Sequence, residues 1–158
     1  MRLIKQRAEI GASLPVIWSI LADFGGVAGW APYMKHSALI GEQKAGVGTR
    51  RELRHAWGFR LQESVTEWTD GRSFSFDVVQ APYPMKDVKE SWLIEHANGQ
   101  TIVATSVEYA MRLGILGAAL DAILVRHIVR REMRAGLRGL KEHAEGQVRQ
   151  NILADETR

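Results

Sequence analysis

The stretch from Leu113 to Lys141, LGILGAALDAILVRHIVRREMRAGLRGLK, most constrains what this chain can fold into. It opens apolar and closes studded with arginines. At about 100° per residue, Ala118, Ala122, Val125, Val129, Met133, Gly136 and Leu140 share one helical face. His127, Arg130, Arg131, Arg134, Arg138 and Lys141 fall opposite. The pattern predicts one long amphipathic helix, from Gly117 to about Gly146, lying on a sheet. Its first turns depart from the rule, because Leu116, Leu120 and Ile123 project on the side that is basic further along. They must meet a loop, a ligand, a second subunit or a lipid surface.

Two other readings of this stretch are weaker. The apolar run Leu113 to Val125 contains Asp121 and falls short of the ~20 residues that span a bilayer. Nucleic acid is disfavoured too. The arginines are not interleaved with aromatics, no nucleic-acid-binding motif occurs, and the net charge of the whole chain is only +3. The plain reading of the basic face is a solvated surface with Glu132 and Glu142 as local partners. Contact with anionic headgroups or with a protein stays open beside it.

The chain lacks cysteine. Disulfides and thiolate metal sites are therefore excluded, and a cytoplasmic location is expected. The first fifteen residues carry alternating charges and do not read as a secretory signal.

Before the long helix the pattern is that of strands. LIKQRAEI alternates, with Ile4, Ala8 and Ile10 on one parity. ASLPVIWSILAD reads as a short helix with Ser13 as cap, Pro15 in the first turn and Val16, Ile17, Ile20 and Leu21 as its stripe. A second short helix is expected around Val27 to Trp30. APYMKHSALIGE then returns to strand, and five further strand-length segments follow. Turn signals separate them, including Asp70-Gly71, Pro82-Tyr83-Pro84 and Asn98-Gly99. One strand, two short helices, six strands and a long helix make an α+β domain, expected over residues 1–146, with 147–158 as a fraying tail.

ASLPVIWSILADFGGVAGWAPYM, GVGTRRELR, ESVTEWTDGRSFSFDV, the run from ESWLIE to GQTIVATSVEY, and GLRGLKEHAE together resemble the SRPBCC superfamily. These are the START-like or helix-grip proteins, and the chain is similar to their polyketide cyclase/dehydrase and lipid-transport branch. The resemblance covers roughly Leu3 to Glu145. It implies a curved seven-stranded antiparallel sheet wrapped around the C-terminal helix, with a cavity between them for an apolar or amphipathic small molecule. Members bind lipids, sterols, hormones or polyketides, and some catalyse cyclisation or dehydration. The shared fold does not choose among these.

Within that frame, Trp30 and Tyr33 follow a Gly-rich break at the expected cavity rim, and Tyr83 and Met85 are displayed by a proline-stiffened loop. Trp57, Phe74, Phe76, Trp92 and Tyr109 are strand or strand-end aromatics expected to meet a ligand, with Leu120 and Leu124 reaching it from the helix. Trp18 reads as core. Glu90 shares parity with Val88 and Ile94, so its carboxylate is expected to point inward. Glu63 and Glu108 are similar cases. Glu63, Glu90 and His55 are the candidates for acid/base work, although no catalytic role is assigned to any of them. The five histidines lack metal spacing, and no phosphate loop, dinucleotide fingerprint or nucleophile elbow is present. No metal or cofactor is expected. The favoured reading is a binding or transport domain for a small hydrophobic or amphipathic molecule. A cyclase/dehydratase-type enzyme and a surface-interaction module are the alternatives, and a homodimer stays open.

Overall fold

The computed structural model describes residues 1–156. Seven antiparallel strands form one sheet in the order β1-β7-β6-β5-β4-β3-β2. They are β1 (Arg2–Ile10), β2 (Met34–Ile40), β3 (Arg50–His55), β4 (Arg60–Thr69), β5 (Ser73–Val78), β6 (Met85–Ala97) and β7 (Gln100–Met111). Consecutive strands from β2 to β7 are neighbours, and β1 closes on β7 with Arg2 opposite Tyr109 and Ile10 opposite Thr101. Irregularities interrupt the register in β2, β4 and β6.

Local chemistry explains the elements. In β1, Ile4 and Ile10 are buried while Arg2, Lys5, Arg7 and Glu9 are exposed. Asn98 and Gly99 both take positive φ between the paired Ala97 and Gln100, the backbone of a two-residue hairpin turn. At Asp70-Gly71 only the glycine does so, and the connection is one residue longer. Helix α1 (Leu14–Ala22) carries Pro15 in its first turn and buries Ile17, Ile20 and Leu21. Ser13 occupies the cap position, but its side chain makes no capping hydrogen bond. The expected second helix is a 3-10 turn, Phe24–Gly29.

The C-terminal rod departs from the expectation in two ways. First, it is not uniformly α-helical. Helix α2 (Gly114–Leu120) passes into a π-helical turn, Asp121–Val125, and then into α3 (Arg126–Glu156). The wider turn brings Gly117 and Asp121 into the buried seam that continues at Val129 and Met133, while Ala118 and Ala122 are exposed. A steady α-helical wheel misplaces those alanines because it cannot include the extra residue. Second, residues 147–156 continue α3 instead of fraying, and residues 157–158 lie outside the described part.

From Val129 onward the wheel holds. Val129, Met133, Gly136, Leu137, Leu140 and Ala144 are buried. A Cβ on Gly139 would lie 1.9 Å from the Trp30 carbonyl oxygen, and one on Gly136 would lie 2.8 Å from the Tyr33 hydroxyl. The two glycines let α3 rest directly on the Trp30–Tyr33 segment. The largest core cluster joins Ile17, Phe24, Phe74, Phe76, Trp92 and Leu140. Among the described residues, no helix is long and apolar enough to cross a membrane.

Candidate functional site

Sheet and rod do not meet along their whole length. Toward the α2 end they enclose a cavity of about 440 Å³. Leu61, Val88 and Val107 form its sheet wall, and Leu120, Leu124, Ile128 and Met133 its helical wall. Trp57, Tyr83 and Met85 stand in the loops and strand start at its mouth. Its polar groups are Tyr33, His55, Glu63, Glu90 and Glu132. Three of these, Tyr33, Glu63 and Glu90, also bound a smaller void of about 30 Å³ beside Trp30, Arg51 and Trp92. They therefore stand where the two spaces adjoin.

Glu63, Glu90, His55 and Glu132 each have an identifiable hydrogen-bond partner. Arg51 Nε and Nη2 both lie 2.6 Å from Glu63 Oε2, and Arg51 Nη1 donates to the Phe24 carbonyl at 2.6 Å. The guanidinium lies over the Phe24 ring, 3.8 Å from its centroid. Burial pushes the Glu63 carboxyl above its usual range, and Arg51 opposes that rise. Glu90 accepts a hydrogen bond from Trp92 Nε1 at 2.7 Å. Burial first, then the neighbouring Glu63 charge, raises the Glu90 pKa to about 7. Burial and the carboxylates of Glu90, Glu132 and Glu63 likewise raise the Tyr33 phenol, which stays a hydrogen-bond donor at neutral pH.

His55 is buried beneath Phe59, whose ring is stacked on it with centroids 4.3 Å apart. The Trp57 amide donates to His55 Nδ1 at 3.1 Å, which puts the ring proton on Nε2. That nitrogen faces Glu132 Oε1 at 3.0 Å. Burial raises the Glu132 carboxyl while His55 pulls it down.

Several expectations need correcting here. Glu132 is not a partner on the solvated arginine face, because it turns inward to His55. Glu108 is exposed on its strand. Tyr109 does not reach the cavity. It is fully buried, and its hydroxyl donates to Asp121, which Arg2 also holds at 2.8 Å. Phe74, Phe76 and Trp92 belong to the core behind the polar groups and touch the smaller void, and Trp30 borders that void without lining the cavity. The geometry does bring Tyr33, His55, Trp57, Glu63, Tyr83, Met85, Glu90, Leu120 and Leu124 around one space.

Sequence reasoning missed Arg51, Glu132 and Asp121. Arg51 alternates in phase with Leu53 and His55, a signal that could have turned it inward. Glu132 stands four residues after Ile128, on the helical side that faces the cavity. Among the described residues, no cluster of three His, Asp or Glu side chains could hold a metal ion.

A curved antiparallel sheet gripping a long C-terminal helix, with a partly apolar cavity between them, defines a helix-grip protein. The chain belongs to the polyketide cyclase/dehydrase and lipid transport family, whose model matches residues 1–145. Solved structures with this fold include the Zhui aromatase/cyclase from a Streptomyces species. It is 16% identical, with 93% of this chain and 95% of that chain covered and a TM-score of 0.80. The major latex-like protein 151 from Panax ginseng is 13% identical, with 90% and 97% covered and a TM-score of 0.74. A Bacillus cereus protein is 18% identical, with 90% and 95% covered and a TM-score of 0.73. At these identities the likeness is one of fold. No curated protein matches the chain.

Proposed function

We propose that the cavity takes up a small amphipathic molecule, apolar along most of its length and carrying one neutral hydrogen-bonding end. The observation that carries this reading is the polarity gradient of the cavity. Trp57, Tyr83 and Leu124 stand at the exposed mouth, and Tyr33, Glu63 and Glu90 gather at the inner end. A ligand burying about 200 Å² of apolar surface gains roughly 5 kcal/mol, before the cost of association. The inner end selects against acids. Its one guanidinium is committed to Glu63, and a ligand carboxylate would meet Glu90 and Glu63. A hydroxyl, phenol or carbonyl fits there. The test is NMR titration with a medium-chain alcohol and the acid of equal length. The alcohol should shift resonances along α2, β6 and β7, and the acid should bind more weakly. Absence of shifts with both, or tighter binding of the acid, would refute this reading.

A second reading has an observation of its own. Glu90 titrates near 7 in the same cavity as the His55–Glu132 pair, which suits proton transfer to and from a confined substrate. Such an enzyme would resemble a cyclase or dehydratase. Turnover of a poly-β-keto thioester that Glu90→Gln abolishes while ligand binding persists would support it. Equal rates with and without the protein would reject it.

A further inference from the structure

The proposed ligand site does not account for the outer side of α2 and the π turn. Ile115 is 88% exposed, Leu116 75% and Ile123 77%. Ile115 and Leu116 are adjacent, and mostly small residues separate them from Ile123, so nothing bulky screens these side chains. The cavity mouth continues this surface. Leu124 is half exposed, and Tyr83 and Trp57 are exposed at 70% and 64% on the facing loops. The Arg112 amide donates to the Pro84 carbonyl at 2.8 Å, which fastens the start of α2 to the loop bearing Tyr83. Single apolar residues at a surface need no explanation, but a contiguous group around a cavity mouth does.

Along the rod, the exposed charges beside this group have one sign. From Arg112 to Arg131 the only acid is Asp121, which is buried and held by Arg2, Tyr109 and Arg126. Arg112 precedes the apolar group, and Arg126 and Arg130 follow Ile123 by three and seven residues, on the same side of the rod. We infer that this end of the molecule docks on an anionic lipid bilayer. Ile115, Leu116 and Ile123 enter the acyl boundary, and Arg112 and Arg130 lie at the headgroups, while Arg126 is engaged with Asp121. The cavity mouth then opens toward the membrane. A second copy of the chain fits less well. In a two-fold interface the same patch meets itself, and these arginines would face their own copies, while the exposed Asp87 near the mouth already has Lys86 4.0 Å away.

Vesicle co-sedimentation of the full chain tests this, using phosphatidylcholine alone and phosphatidylcholine with about 30 mol % phosphatidylglycerol. Binding should be at least about tenfold tighter to the anionic vesicles and should weaken at about 0.5 M salt. Ile115→Ser/Leu116→Ser/Ile123→Ser and Arg112→Glu/Arg130→Glu should each lose at least about tenfold. All five positions lie outside the core, and circular dichroism checks that both variants stay folded. Vesicle binding needs no cavity ligand, so it can succeed or fail independently of the alcohol titration. Failure of the wild type to bind either vesicle overturns the inference. So does light scattering that shows a dimer which the triple serine variant dissociates.

Discussion

His55 and Glu132 join the sheet to the rod across the cavity, with Nε2 and Oε1 3.0 Å apart and one residue contributed by β3 and the other by α3. The pair holds the imidazole in a single tautomer, because the Trp57 amide occupies the other nitrogen. Replacing Glu132 with Leu leaves the buried Nε2 proton without an acceptor and should cost about 1–3 kcal/mol in urea unfolding. Glu132→Gln keeps an acceptor oxygen and should cost less than about 1 kcal/mol.

Glu90 gives stability a pH dependence of definite sign. Its carboxyl titrates near 4.5 when unfolded and at about 7 when folded, so the native state holds the proton more tightly. Stability contributed by the protonated form is complete below the unfolded value and is lost as pH rises toward 7. The loss between pH 4.5 and 7 is of the order of 3 kcal/mol. Glu90→Gln keeps an acceptor for Trp92 and removes the titration. Urea midpoints should therefore favour the variant over wild type at pH 8, with the difference shrinking toward pH 5.

The Arg51–Glu63 pair should be costly to break and cheap to delete. Arg51→Leu strands a buried carboxyl, with an expected loss of about 3–5 kcal/mol. Adding Glu63→Leu should restore most of it, which a double-mutant cycle measures directly.

Gly139→Ala should reverse the ordinary helix preference. Alanine in a helix normally gains up to about 1 kcal/mol over glycine. Here the new methyl group would meet the Trp30 carbonyl, and thermal unfolding should show a loss of more than about 1 kcal/mol.

Tyr109→Phe separates framework from cavity. Removing the hydroxyl takes one donor from buried Asp121, which keeps Arg2, and should cost about 1–2 kcal/mol. Ligand affinity in the alcohol titration should stay unchanged, since Tyr109 does not line the cavity.

The sheet was legible because its signals are short-range. Parity in β1, the β-branched runs and Asn98-Gly99 each act within a few residues. The inward turn of Glu90 followed from the same parity. The tertiary pairings were not legible. Nothing local announces that Arg51 will satisfy Glu63 in the core, or that one acid among arginines will turn toward a histidine 77 positions away. Tyr109 shows the limit of parity. It does point inward, but Asp121 receives it where a ligand was expected. Ala118 and Ala122 were misplaced because a single extra residue in the π turn shifts the helical phase there, so that Gly117 and Asp121 take the seam.

That turn divides one continuous rod into two territories that can change separately. Beyond it, Met133, Leu137 and Leu140 are committed to the core, and most changes there are answered by stability. Before it, residues 113–120 are mostly exposed and reach the cavity through Leu120, and few of them carry the fold. A chain built this way can revise the surface of a short stretch of helix and leave its foundations untouched.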